Sequence, residues 1–341
     1  MENKKGITFV GNIITDVVKT VDCYPEIGLL ANIKDVKRAV GGAVPNTAIN
    51  LRKIDGKIPL SAIGKIGNDD GGNYIMEKFS EFNIDASRVL VSEDKPTSFS
   101  DVISLPSGER TFFHARGANA QFVPEDIDLD KLDCDILHAG YILLLDGFDA
   151  KDEVYGTKMA HFFHDVQEKG IKTSVDVVSD ATADYKGTIL PALKYCDYAI
   201  MNEIESTALF DIEPYNADGS VNSANIKKTM ELMAEAGVKE KIVLHCKDAG
   251  FAYDVKTKTF TAVPSLKIPG ELIKGSVGAG DSFCAGTLYG IYYNLPDKEI
   301  LEFASSAAAC NLFSENSIDG MRSYDEVKKL ADRFGRKEIK L

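Results

Sequence analysis

GSVGAGDSFCAG, residues 275–286, sets three small residues, Gly278, Ala279 and Gly280, directly before an acid, Asp281, and an apolar helical pattern begins at once behind it. A turn of this kind leaves backbone N–H groups unpaired at a helix N-terminus, where they and the helix dipole favour an anion. Residues with no side chain, or only a methyl, let a phosphoryl group approach those amides closely. Asp281, held ionised by the same dipole, is placed to take the proton of a hydroxyl that attacks phosphorus. Phosphoryl transfer asks for little beyond positioning, charge neutralisation and such a base. Taken alone, these residues also fit a plain glycine turn with an aspartate cap.

Outward from this stretch, short apolar runs rich in β-branched residues recur: ITFVG at 7–11, DILHAG at 135–140, TSVDVV at 173–178, YAIMN at 198–202 and KIVLHC at 241–246. Helix-length amphipathic stretches lie between and after them, at 74–82, 150–168, 226–236, 282–293 and 298–313. The alternation is that of an α/β fold, a mostly parallel sheet flanked by helices. Two segments depart from it. Residues 97–105 and 110–114 flank Pro106-Ser107-Gly108-Glu109 as a β-hairpin, and 17–40 contains further strands around Pro25 and Gly28. Together they predict a small separate sheet that acts as a lid over a site on the main one. The alternative is a β extension used in packing or in a homodimer. No repeat or linker divides the chain, so residues 1–341 are expected to form a single domain, with lid segments at about 17–40 and 97–114.

With 44% hydrophobic and 27% charged residues the chain can bury a large core. A net charge of −13, with no basic cluster larger than Lys34, Lys37 and Arg38, argues against a nucleic-acid surface. It does not exclude a nucleotide, which needs only a few amides, a cation or two and a metal ion. The apolar run near the N-terminus is interrupted by Gly11, Asn12 and Asp16 and is too short to span a bilayer. No membrane partner is expected. Six cysteines without a CxxC pair point to reduced thiols and a cytoplasmic protein.

GAGDSFCAG resembles the C-terminal signature of the PfkB, or ribokinase-like, carbohydrate kinases. The resemblance implies that Gly278, Ala279 and Gly280 form the anion hole and that Asp281 is the catalytic base. AVGGAVPNTAINL at 39–51 is similar to the family's N-terminal signature, which implies substrate contacts from Gly41, Gly42 and Asn46. GNIITD places Asp16 where relatives carry an acid that binds sugar hydroxyls, and AIGKIGNDDGG at 62–72 matches their glycine-rich segment. NEIE fits the family's Asn-x-x-Glu motif, so Asn202 and Glu205 are implied to arrange Mg²⁺ and phosphate, generally through water. No protein side chain is assigned as a direct metal ligand. The implied cofactors are ATP and Mg²⁺. Where relatives begin the C-terminal motif with Asp-Thr, this chain has Gly275-Ser276, so a potassium site that uses that acid is not expected.

The resemblance runs from residue 11 to at least residue 313, and neither a Walker A loop nor protein-kinase HRD and DFG motifs are present. Selectivity is expected from TFFHARGAN at 111–119, with Asn119 and, for an anionic group, Arg110 as substrate contacts. His245 and Cys246 are expected beside the adenine, whereas His161 and His164 lack a third ligand for a metal. The implied activity is ATP-dependent phosphorylation of a hydroxyl on a small sugar. A nucleoside kinase with Phe99, Phe112 and Phe113 as base platform, or a silent sugar-binding sensor, are the alternatives, and the intact Asp281 argues against the sensor.

Overall fold

The computed structural model describes residues 4–105, 109–179 and 184–339. The chain opens with β1 (Ile7–Gly11), β2 (Ile14–Val21), β3 (Ile33–Gly41), α1 (Ala43–Ile54), β4 (Leu60–Gly67), α2 (Asp70–Glu81) and β5 (Asp85–Ser92). It continues through β6 (Phe99–Ser104), β7 (Arg110–Ala115), β8 (Ile136–Ile142), α3 (Asp146–Asp149), β9 (Lys151–Asp152), β10 (Gly156–Thr157), α4 (Lys158–Glu168) and β11 (Lys172–Val177). The remainder is α5 (Tyr185–Leu193), β12 (Tyr198–Asn202), α6 (Glu203–Ala208), α7 (Ser223–Ala236), β13 (Lys241–His245), β14 (Ala249–Asp254), β15 (Thr259–Pro264), α8 (Ala279–Tyr292), α9 (Asp297–Asn311) and α10 (Tyr324–Phe334).

The main sheet has nine strands in the order β15-β14-β13-β12-β11-β8-β1-β4-β5. From β5 to β13 every pairing is parallel, and β14 and β15 close the edge antiparallel. Central strands covered on both faces need apolar side chains at every position, and β1 is buried along its whole length. One face is covered by a core that includes Val44, Ile49, Phe79, Phe283, Leu288 and Leu301, the other by Phe122, Phe148, Phe163, Ile189 and Met230. Because β1 is followed in the sheet by β4 on one side and β8 on the other, their carboxyl ends splay apart into a crevice, the place where open α/β sheets bind ligands.

The second sheet has the order β3-β2-β6-β7 and is built from the two segments that departed from the α/β pattern. β2 pairs antiparallel with β3 and parallel with β6, and β6 pairs antiparallel with β7. Of the hairpin turn, residues 106–108 lie outside the described residues. The helix expected over 150–168 begins only at Lys158. Before it, β9 and β10 form a small antiparallel pair, Gly156 takes a left-handed φ of 92°, and the Thr157 side chain caps α4 by accepting from the Ala160 amide.

Candidate active site

Asp281 lies in the first turn of α8, 6% exposed, at the floor of a 590 Å³ cleft between the crevice and the second sheet. Gly278 caps that helix with φ 78°, and a Cβ there would lie 2.4 Å from the Ser317 Cβ, so both conformation and space require glycine. The turn is braced from outside: Asn311 Nδ2 donates to the Val277 carbonyl at 2.5 Å, and Asn50 Nδ2 to that of Ser317 at 2.9 Å. The amides of Gly280 and Asp281 have no acceptor among the described residues. They are the unpaired donors of a helix start, aimed where an anion would sit.

This turn divides two clefts. Gly278 and Asp281 face the first, with Asn12, Asp16, Gly42 and Asn46. Ala279 and Gly280 face the second, a 400 Å³ cleft with an apolar wall that includes Leu266, Ile268, Ile273 and Phe283, and with His245 and Cys246 at its edge. His245 lies 4.8 Å from the Phe283 ring, centroid to centroid, and burial holds its pKa down at about 4, so it is neutral there.

Two side chains hold the Asp281 carboxylate. Tyr141, at the end of β8, donates its hydroxyl to Oδ1 at 2.5 Å, and Asn46, in the first turn of α1, donates Nδ2 to Oδ2 at 2.9 Å. Burial pushes the Asp281 pKa up to about 6 against the pull of these two bonds. Asn46 therefore spends its Nδ2 on the acid while it lines the cleft with its Oδ1 unpaired among the described residues; direct contact with a substrate hydroxyl was the expectation. Asp16 rises to about 7, first through burial, then through the Asp281 charge, with Arg110 pulling the other way. A Cβ on Gly41 would lie 2.5 Å from Asp16 Oδ2, so Gly41 makes room for that carboxylate while Gly42 lines the cleft itself.

Asn202 and Glu205 cap α6 reciprocally. The Asn202 Oδ1 accepts from the Glu205 amide at 2.8 Å, and the Glu205 Oε2 from the Asn202 amide at 3.0 Å. Both also bond Ser179, which lines the first cleft, so the pair stands one layer behind its wall. Burial lifts Glu205 to about 7. Asp176, at the end of β11, is raised well above the usual carboxylate range by burial, then by the charges of Glu205 and Asp281. These buried oxygen donors repel one another, and a hard divalent cation such as Mg²⁺ fits that donor set.

Other expected residues fall elsewhere. Asn119 is fully buried; its Oδ1 accepts from the Ile13 amide at 3.4 Å, and it does not border the cleft. Arg110 opens β7 outside the cleft and donates to the Glu315 carbonyl at 3.0 Å. His114 and Phe112 do line the cleft, while Phe113 faces outward, 59% exposed. His161 and His164 are engaged by Asp152 and Asp165 on the surface.

Three site residues escaped the sequence reading. Asn12 follows β1 and ties the crevice together: its Oδ1 accepts from the Tyr141 amide at 2.7 Å, its carbonyl from Val44 at 3.2 Å. Tyr141 and Asp176 are the other two. An acid inside an apolar strand such as TSVDVV is costly to bury, and that cost was the available signal for Asp176.

A ribokinase from Dictyostelium discoideum is 25% identical over 317 residues, covering 92% of this chain and 95% of the relative. A 5-dehydro-2-deoxygluconokinase from Geobacillus thermodenitrificans is 23% identical, covering 85% and 83%. Among solved structures, an Arabidopsis thaliana ribokinase complexed with ribose and ATP superposes with a TM-score of 0.78 at 19% identity, over 96% of this chain and 98% of that one. A nucleoside kinase from Methanocaldococcus jannaschii gives 0.73 at 17% identity, over 96% and 98%. Residues 4–323 match the model of the pfkB family carbohydrate kinases. With that match over nearly the whole length, and the ribokinase fold beneath it, the chain belongs to the pfkB family of carbohydrate kinases.

Proposed function

We propose that the chain transfers the γ-phosphoryl group of ATP to a hydroxyl of a small sugar or sugar derivative held in the cleft over Asp281. One observation carries the proposal: a single glycine-rich turn is the wall between two clefts, with the acid on one side and the anion-binding helix start open to both. The apolar cleft suits adenine, and the polar one, with Asp16, Asn12 and Asp281, suits a polyol.

In this reading the acceptor hydroxyl donates to Asp281, whose two oxygens are oriented by Tyr141 and Asn46. The hydroxyl oxygen attacks the γ-phosphorus, its proton passes to Asp281, and the bond to the bridging oxygen of ADP breaks. A carboxylate of pKa about 6 is ionised at neutral pH and still basic enough to receive that proton. The Gly280 and Asp281 amides stabilise charge on the transferring group. Glu205 and Asp176, with Asn202 and Ser179 beside them, would hold magnesium that arrives with the nucleotide, directly or through water; its chemistry is neutralisation of phosphate charge. Asp16 accepts from further sugar hydroxyls, and the second sheet, carrying Phe112, His114 and Ser100 over the cleft, excludes water as a lid.

Further features belong to the same proposal. Free thiols at all six cysteines support a cytoplasmic location. Apolar side chains exposed on the lid and its connecting loop, among them Ile27, Leu29, Leu30, Val36 and Phe113, support a homodimer formed through it. Phe112 in the cleft wall favours a nucleoside as the second substrate class. ADP release measured with hexoses, pentoses, keto-deoxy acids, sugar phosphates and nucleosides decides among these classes. Binding of a sugar with no ADP release from any of them would leave a sensor and sink the kinase reading.

A further inference from the structure

Past Asp16 the inner face of the lid runs on into a further opening of 630 Å³. It is bounded by Lys37 and Arg38 of β3, Arg110 of β7 and, from the main body, Lys274, Glu315 and Asp319. The two openings share one surface. Asp16 and Phe112 line the first; Val18 and Arg110, each two residues along the same strand and therefore on the same face, line the second.

Four cations meet two carboxylates here, in a chain whose net charge is −13, so the positive potential is a local arrangement. Part of it is spent. Lys37 pairs with Glu315 at 2.6 Å and Asp35 at 3.5 Å, and Arg38 leans on the Tyr74 ring. Arg110 spends one nitrogen on a main-chain carbonyl and feels the Asp16 and Glu315 charges without an ion pair to either, and Lys274, also near the Glu315 charge, has no side-chain hydrogen bond or ion pair among the described residues. The Lys274 backbone is fixed by the hydrogen bond that its N–H donates to the Leu312 carbonyl at 2.8 Å. Gly275, next to it, leaves the Arg110 fork open: a Cβ there would stand 3.2 Å from Nη2.

We propose that the acceptor substrate carries an oxyanion group, a carboxylate or a phosphate, at the end remote from the hydroxyl that is phosphorylated, and that Arg110 and Lys274 hold it between lid and body. The proposal rests on the kinase reading above for the position of that hydroxyl. A guanidinium fork matches either group bidentately, and an ammonium adds a point charge. A neutral sugar would leave both cations without an ion pair, sharing only the longer-range charge of Glu315 and Asp16.

The test uses the full chain with ATP and Mg²⁺ and matched probes: glucose with gluconate and 2-keto-3-deoxygluconate, and fructose with its 1- and 6-phosphates. ADP release gives kcat/KM, and calorimetry without ATP gives affinity for the same compounds. The expected result is a preference of at least about a hundredfold for an anionic member over its neutral parent. Lys274→Met and Arg110→Met should each shrink that preference by roughly 10- to 100-fold, mainly through KM, and Arg110→Lys should retain part of it. Whether acids or phosphates lead identifies the oxyanion. A neutral parent as best substrate, a preference untouched in both methionine variants, or a larger rise in KM for ATP than for the sugar would overturn the proposal. Turnover of neutral sugars without anionic preference refutes it and leaves the kinase reading intact. Anion binding weakened by Lys274→Met, with no ADP release, upholds the oxyanion site between lid and body and refutes the kinase reading; neither binding nor turnover overturns both.

Discussion

Asp281→Asn separates the chemistry of the site from its architecture. The carboxylate accepts from Tyr141 at 2.5 Å and from Asn46 at 2.9 Å, and the Asn46 Oδ1 has no partner among the described residues. A rotated Asn46 amide can therefore accept from the new carboxamide while Tyr141 continues to donate to its oxygen. Both hydrogen bonds survive, the one to Asn46 in a reversed sense, a buried charge is removed, and the fold should be at least as stable as before. What disappears is the proton acceptor. Loss of a general base costs on the order of 10²–10⁴ in rate, or roughly 3–5 kcal/mol of transition-state stabilisation. The assay is kcat by coupled ADP release on the best substrate of the panel, with nucleotide affinity measured by calorimetry and folding by thermal melt. The expected outcome is kcat down by at least about a hundredfold, with ATP affinity within a few-fold and an unchanged or raised Tm. In the parent, kcat/KM should fall about tenfold per pH unit below the Asp281 pKa of about 6, because the base is then protonated, and the variant should lose that limb. A variant within about tenfold of normal kcat, with the acid limb retained, would show Asp281 to be a helix cap.

Asp16→Asn should raise KM for the sugar far more than for ATP and also stabilise the empty protein. Its carboxyl is held at about 7 in the fold against 3.8 ordinarily, so its contribution to stability is full below about pH 4 and is lost as pH rises through 7; the amide avoids that loss, worth on the order of 1–3 kcal/mol at pH 8, and melts of both proteins from pH 4 to 8 would expose an opposite trend. Asn46→Ala removes a donor that lowers the Asp281 pKa, so the acid limb of kcat/KM should move to higher pH, and a changed KM for sugar with an unmoved limb would return Asn46 to direct substrate binding. Gly278→Ala places a methyl against Ser317 in a left-handed backbone; kcat should drop and the Tm fall, and normal turnover would contradict the role of the turn. Potassium should change kcat/KM by less than about tenfold at constant ionic strength, since Gly275 supplies no carboxylate and the Arg110 guanidinium stands beside it.

The strands ITFVG and YAIMN were legible to the residue, and the lid hairpin nearly so, because strand burial and turn chemistry are local properties. α1 was not recognised as a helix. Pro45 and Asn46 are residue types common in turns and helix caps, yet in a first helical turn proline gives up no needed N–H. The acid and its glycines could be named from one stretch of chain. Their partners could not, since Tyr141 meets Asp281 only through the order of β1, β8 and α8 in space. Asn119 follows the hairpin in sequence, as a selectivity residue would, but its buried side chain secures Ile13.

The bond between Asn46 and Asp281 joins residues 235 apart in the chain. A ribosome adding about 5–20 residues per second needs roughly 10 to 50 seconds to cover that interval. Throughout it, the β1 and α1 segment has been made but the acid it will orient does not yet exist. The helix that packs against α1, α8, is missing as well, so apolar positions such as Val44 and Ile49 wait without their cover. Loop closure over such a span is slow and leaves parallel strands unpaired while it proceeds. Chains truncated before α8 should therefore be captured by chaperones or proteases in the cell, and competence for turnover should appear only after the last fifth of the protein, from α8 onward, has docked.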